Sequence, residues 1–517
     1  MTTFYEQIQK KNTYIDEEEN KNSRQNIDKW IFRFFLILIG FLPLIVLGHI
    51  ERVLSPFIST VSVLSSGEKG DLFTHFKYLL LVTITSIILG MFLIKIYFLE
   101  GKIRKTIINY ILSLFLIAIV ISTILSPTIT VALFGYYSRS DGALSWICYI
   151  TLMFIAMNIN YPKNFVSKLM YTLMPFVYIN LFIVIMNFIG KDLVQNTIIQ
   201  SILSSTLPEG ATLGQNSILV GTLNQWNFMS GMFAMMTVLY LAWAITAKKL
   251  YEVVIGAITA AVSILIMFMS ISTSGFLTVA ACLPFLLIVA IRVNKKKFAA
   301  LALGLFILIT APLFHVIADK NPRVWEESFG FIMKNNPYEV DGISKIFETK
   351  RAFASSNSFE LPILPEAALG AGTGRVYIWE KTFDLIKERP LFGYGLDTLL
   401  YNFPHYNIDA RTALWTENTI VDKPHNLYMG IFYGTGILGI ISLLTLLLFN
   451  IGITVRSIIM KNCDVVILSL FSFAFFAQAL FNDSLPSVTS IAFLIMGISF
   501  GLYKNSTSNN ELVVKKN

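Results

Sequence analysis

Twelve stretches of this chain are each apolar for about the twenty residues an α-helix needs to cross a bilayer. That leaves little room for anything but a polytopic membrane protein. The stretches fall at 31–49, 77–99, 106–126, 143–160, 164–189, 226–246, 250–270, 274–292, 297–317, 426–455, 464–482 and 484–503. Backbone in hydrocarbon must satisfy its own N–H and C=O groups, so each stretch is expected to be helical. Composition agrees, because 55% of the 517 residues are hydrophobic and only 14% are charged, unlike a soluble domain with one anchor. The expected fold is all-α, with about twelve transmembrane helices and one long polar loop carrying short helices. The last two stretches lie close enough to form a single re-entrant pair. The expected division is a tail at 1–29, a nine-helix membrane domain at 30–317, a loop at 318–425, a three-helix segment at 426–503 and a tail at 504–517.

Lys and Arg mark the cytoplasmic side of short loops. Loops 100–105, 160–164, 247–250, 292–297 and 456–463 hold 12 Lys/Arg in 29 residues, whereas 50–76, 127–142, 190–225, 271–274 and 482–485 hold 4 in 87. Both termini are therefore expected in the cytoplasm, and parity puts 318–425 on the extracytoplasmic face of the plasma membrane. The polar, mixed-charge start and the lack of a small-residue cleavage pattern suit a retained first helix, with 1–29 as a disordered or surface-lying tail. Cys148 and Cys282 fall in spans and Cys463 at a helix end, so no disulfide framework is expected. The net charge of +8 follows from the positive-inside bias and requires no nucleic-acid partner. No internal repeat is evident, and ionisable residues avoid the middles of the spans apart from terminal ones such as Arg33 and Lys95. Both features argue against an ion-coupled carrier. The chemistry is expected at the outer membrane–water boundary.

The long loop holds 12 Lys/Arg and 15 Asp/Glu, so it offers no general basic field. An anionic, lipid-linked substrate would have to be held by a few positioned arginines, whose planar forks suit a diphosphate. Arg139, Arg375 and Arg411 are the candidates, and each has an ordinary alternative as a solvated or ion-paired residue. Arg139 lies in the short glycine-flanked loop Gly135 to Gly142, where Asp141 is the obvious neutralising partner. Val376, Trp379, Phe383 and Ile386 recur at helical spacing opposite Glu380, Lys381, Asp384, Lys387 and Glu388, which predicts an amphipathic helix to Glu388. Arg389-Pro390 and Gly393-Tyr394-Gly395 stop it, leaving Arg375 at its start and Trp379 as part of an arm over the membrane domain. His425 opens a span through His425-Asn426, followed by Gly430, Gly434, Gly436 and Gly439, small residues expected to let helices approach closely. Its imidazole suits proton transfer near neutral pH, with a helix-capping role as the alternative.

Taken together, these patches resemble the bacterial O-antigen ligase and O-antigen polymerase superfamily. The resemblance rests on Gly135 to Gly142, Gly221-Thr222-Leu223-Asn224-Gln225-Trp226-Asn227, Arg375 to Gly395, and His425-Asn426 before a glycine-bearing span. It implies a GT-C-like fold and a transferase that moves an undecaprenyl-diphosphate-linked glycan to a glycan, lipid or protein acceptor. It implies neither cofactor nor metal, consistent with the lack of a GxxxxGK[ST] motif, a DxD pair or clustered His/Cys ligands in the sequence. By residue match, His425 and Arg375 would be catalytic, and Arg139, Arg411, Trp379, Lys423 and Asn426 would bind substrate. One departure is that the family commonly has Ser-Arg-Gly near the start of the eighth span, where this chain reads Ser272-Thr273-Ser274-Gly275-Phe276. The competing function class is a polysaccharide exporter or flippase without transferase activity.

Overall fold

The computed structural model describes residues 4–211, 213, 219–223, 225–333, 335–338 and 364–514. Asn224, Gly342, Pro362 and the Ser355-Ser356-Asn357-Ser358 run lie outside them. Each of the twelve apolar stretches contains a helix. The helices are α1 Phe4–Phe41, α2 His75–Tyr97, α3 Ile107–Ile124, α4 Ile129–Phe134, α5 Ala143–Asn158, α6 Phe165–Phe188, α7 Thr197–Leu203, α8 Trp226–Thr246 and α9 Leu250–Met269. They continue with α10 Thr273–Arg292, α11 Lys296–Lys320, α12 Arg323–Glu326, α13 Arg375–Glu388, α14 Leu399–Asn402, α15 Leu427–Ile459, α16 Cys463–Gln478 and α17 Pro486–Val514. Among the described residues, nine helices are long and apolar enough to cross a membrane. Of the other three apolar stretches, two are shorter helices, α5 and α16, with 16 residues each, and the first is covered only up to Phe41 by the 38-residue α1.

The bundle is organised around α8, whose apolar window is 94% buried under α9, α10, α11 and α16. Helix α17 is nearly as enclosed at 89%, while α11 at 11% forms the rim. Enclosed helices that are apolar all round and rim helices with exposed apolar faces are what a bundle in lipid requires.

Two features differ from the sequence expectation. Residues 4–29 belong to α1 and do not form a disordered tail; Asp28 is buried and pairs with Lys95 at 2.5 Å, which docks the last turns before the membrane. Strands β1 His49–Val53 and β2 Gly67–Asp71 form an antiparallel hairpin, His49 opposite Asp71, in a chain expected to be all-α. Lys77, at the start of α2 and so terminal like Lys95, is buried and donates to the Thr222 carbonyl. A lysine one turn inside a helix can bury its stem while its ammonium reaches a polar segment.

The glycines of α15 also act otherwise than expected. The helix is broken at Gly436, where φ is 67°, and the break receives a loop instead of a helix. Tyr394 N–H donates to the Tyr433 carbonyl at 3.0 Å, Gly395 N–H to Gly434 at 2.9 Å, and Ile437 N–H to Pro390 at 2.9 Å. A Cβ on Gly436 would strike the Leu391 carbonyl, and one on Gly393 would strike that of Tyr433. The Gly393-Tyr394-Gly395 turn thus seats itself, backbone to backbone, in a gap that only glycine leaves open, and so fixes the position of Asp397.

Candidate active site

At the end of the bundle where α5, α15 and α17 begin, four chain segments place eight polar side chains together. The segments are 135–142, the turn after Gly395, 421–426, and the loop 482–485 between α16 and α17. The first is a pinched loop. A Cβ on Gly135 would strike the Asp141 nitrogen, and one on Gly142 the Gly135 nitrogen, so the glycines let the loop close and turn Arg139 inward. Arg139 is 6% exposed. Its Nε donates to Asp397 at 2.9 Å, its Nη1 pairs with Asp422, and its guanidinium lies 4.7 Å from the Tyr136 ring centroid. Its Nη2 is buried with no hydrogen-bond partner among the described residues. Asp397 in turn accepts from Tyr136 N–H at 2.7 Å.

Asp141, expected to neutralise Arg139, pairs instead with Lys423 at 3.2 Å and accepts from Ser484. Lys423 also lies 3.7 Å from Asp397 and donates to the Ser484 carbonyl at 3.3 Å. The partners respond unequally to burial. Burial opposes the Lys423 cation, but Asp397 and Asp141 outweigh it and raise its pKa. Asp141 has one cation and a neighbouring carboxylate, and burial pushes it up to about 6. Burying such ions is costly unless each is paired.

His425 adopts φ 51°, which directs its ring toward the 482–485 loop. Its Nδ1 lies 3.0 Å from the buried carboxylate of Asp483. A carboxylate there makes Nδ1 the protonated nitrogen and leaves Nε2 for a reacting group. Burial favours neutral imidazole, but the hydrogen bond and charge of Asp483 prevail, so His425 titrates above its ordinary value. Burial likewise works against the Asp483 anion, yet His425 and Lys423 hold its pKa below the usual aspartate value.

Arg375 begins α13, close enough for its charge to oppose protonation of His425 and for Asp483 to support its own. Its side chain has no hydrogen bond or ion pair among the described residues. Trp379 Nε1 donates to the Pro424 carbonyl at 2.7 Å, so the arm is tied directly to the residue before His425. The predicted stripe is partly wrong about which face is packed. Tyr377, Ile378, Thr382 and Ile386 are buried, whereas Val376 and Phe383 are exposed, because α13 packs on Tyr394, Phe403 and Tyr433.

The structure therefore gathers Arg139, Arg375, Lys423 and His425, with Trp379 as a tie. Asn426 joins them by position, but its side chain caps α15 by accepting from Met429 N–H at 3.1 Å. Arg411 stands apart, engaged by the Pro365 carbonyl at 2.7 Å and by Glu417 at 3.4 Å. Asp397 and Asp483 were missed by sequence reasoning. Asp397 follows the Gly393-Tyr394-Gly395 turn, the one local signal that could have found it, and Asp483 has none. At the departure Ser272-Thr273-Ser274-Gly275, Ser272 Oγ donates to Asn227 at 2.9 Å and contacts Ser274 Oγ at 3.0 Å, and Thr273 Oγ1 donates to the Glu327 carboxylate. No cation replaces the family's arginine in that contact set.

Residues 258–444 match a protein-family model described as O-antigen ligase. The match takes in Arg375, Asp397, Lys423 and His425, while Arg139, Asp141 and Asp483 lie outside it. A search among curated proteins finds none that matches the chain.

Proposed function

We propose, for a chain that belongs to the O-antigen ligase/polymerase family, that it transfers or polymerises an undecaprenyl-diphosphate-linked oligosaccharide onto an acceptor at the outer face of the cytoplasmic membrane. Family membership carries the coarser part of this reading, a ligase-type enzyme of polysaccharide biosynthesis in a membrane. The observation that supports the finer part is the juxtaposition of two incompletely used cations, Arg139 and Arg375, with the His425–Asp483 pair.

In this reading an acceptor hydroxyl attacks the anomeric carbon of the donor, and the bond from that carbon to the phosphate oxygen breaks. The hydroxyl proton passes to His425 Nε2. The electron pair of the broken bond stays on the polyprenyl diphosphate, so the added charge must be met by fixed cations. Arg139 holds Nη2 unpartnered among the described residues but buried, so a donor reaches it only as the site opens. Its bond to Asp397, fully buried, holds the guanidinium in place, whereas Asp422 has a side chain 41% exposed and is the partner a diphosphate oxygen would displace. Arg375 supplies a second fork, and Lys423, held by Asp141 and Asp397, offsets part of the negative charge of the cluster's carboxylates. His425 and Arg375 are the catalytic residues in this scheme, and Trp379 is a positioning residue. Arg411 and Asn426 take no part in it.

The test is conversion of purified polyprenyl-diphosphate glycan by the protein in closed vesicles with neither ATP nor an ion gradient. Product linked to acceptor, with polyprenyl diphosphate released, is expected. Movement of intact donor across the vesicle membrane without any new glycosidic bond would point to an exporter.

A further inference from the structure

We propose that His49, Glu51 and His75 bind a divalent late first-row metal ion of the zinc class at the root of the β1–β2 hairpin. One ligand atom from each of the three side chains lies within 4.8 Å of the others, and all three residues are half-buried. This cluster joins residues that are separate in the sequence, which is why no metal-binding spacing shows there. His49 and Glu51 are two apart on β1 and share a face of the strand. Pairing of His49 with Asp71 sets the register of the hairpin. The Asp71 carboxylate accepts the N–H groups of Phe73, Thr74 and His75 at 3.2, 2.9 and 2.7 Å, fixing the backbone that carries the second imidazole.

The rings are held as well. His49 and His75 stack with centroids 3.4 Å apart and 12° between planes, and Phe76 packs edge-on against both. None of the three side chains makes a hydrogen bond among the described residues, and the His49–Glu51 separation of 3.9 Å is too long for one. Ligand atoms around a tetrahedral ion with bonds of about 2.0–2.2 Å sit roughly 3.3–3.5 Å apart. To close on an ion the two rings must turn out of this stack so that their in-plane nitrogens converge, leaving an outward position for water. Two imidazoles and one carboxylate suit zinc, nickel or copper better than calcium or magnesium.

The ion would sit under a segment that reaches the candidate active site. Past β1, Phe57 stacks on Tyr401 with centroids 6.0 Å apart, and the Val63 carbonyl accepts from Tyr136 Oη at 2.8 Å. Tyr136 is the ring beneath the Arg139 guanidinium. Metal at the root would therefore clamp the hairpin to α2 and steady the wall on which Arg139 rests.

The experiment uses full-length protein in detergent, purified through a tag free of histidine, stripped with a chelator and titrated with Zn²⁺ by calorimetry. Wild type should bind one ion per chain. His49→Gln or His75→Gln should weaken binding by at least about 10-fold, the double variant should abolish it, and His405→Gln should leave it unchanged. In wild type alone, Zn²⁺ should block diethyl pyrocarbonate modification of His49 and His75, mapped by mass spectrometry, and should raise the thermal unfolding midpoint. Zinc that fails to bind wild type, that binds the double variant equally, or that leaves both histidines open to the reagent overturns the assignment.

Discussion

Arg139 and Lys423 are each held by carboxylates, whereas Arg375 faces the same site with no ion pair among the described residues. Burial lowers its pKa, with Asp483 in partial opposition, but a guanidinium remains protonated throughout any useful range. A partly desolvated cation of this kind is poorly satisfied until an anion arrives. Arg375→Lys keeps the charge and loses the bidentate fork. It is expected to cost at least about 10-fold in kcat/KM, on the scale of a charge-assisted hydrogen bond of 1.5–3 kcal/mol, with normal amounts of protein in the membrane. Wild-type kinetics for both Arg375→Lys and Arg375→Ala would remove this residue from the donor site. The sequence singled out Arg375 and Arg139 but assigned Asp141 to the wrong cation. Charge pairing across segments far apart in the chain leaves no trace in local spacing.

At the scale of elements, the active-site geometry depends on a loop docked into a broken helix. Gly436 at φ 67° and the hydrogen bonds of Tyr394, Gly395 and Ile437 hold the 390–395 segment against α15. Asp397 follows directly and supports both Arg139 and Lys423. Gly436→Ala adds a Cβ against the Leu391 carbonyl in a backbone conformation unfavourable to alanine. A stability loss of about 1–3 kcal/mol is expected, read as a lower unfolding midpoint in detergent, together with reduced turnover. Gly452→Ala, where the added Cβ meets nothing within 4 Å, should change neither. The helical period gave α13 its correct extent, because an amphipathic pattern is a local property. It misjudged the packed face, since Tyr377 and Ile378 are recruited by Tyr394, Phe403 and Tyr433 from other segments.

For the whole molecule, the long apolar stretches made the helical membrane fold legible, since bilayer thickness and backbone satisfaction act on every span in the same way. The β1–β2 hairpin and the docking of α1 through Asp28 were not legible, because both depend on partners remote in sequence. Charge asymmetry of the loops argues that the cluster end faces outward, and cysteine labelling tests it. In an otherwise cysteine-free chain in intact cells, a membrane-impermeant maleimide should label Asp409→Cys and should not label Lys296→Cys. The opposite pattern would invert the protein and put the cluster in the cytoplasm.

The central claim is that His425, oriented by Asp483, accepts the proton of the attacking hydroxyl. The active form is then neutral imidazole, and because Asp483 raises the His425 pKa, turnover should climb with pH through a value above the ordinary histidine value of about 6.5. The most direct test is the pH dependence of single-turnover glycosyl transfer by wild type, Asp483→Asn and His425→Ala. Asp483→Asn should move the ascending limb to lower pH and reduce the plateau rate. His425→Ala should abolish the limb and lower the rate by about 100-fold or more, while remaining folded. A stable His425→Ala protein that retains wild-type turnover and the wild-type pH profile would contradict the claim.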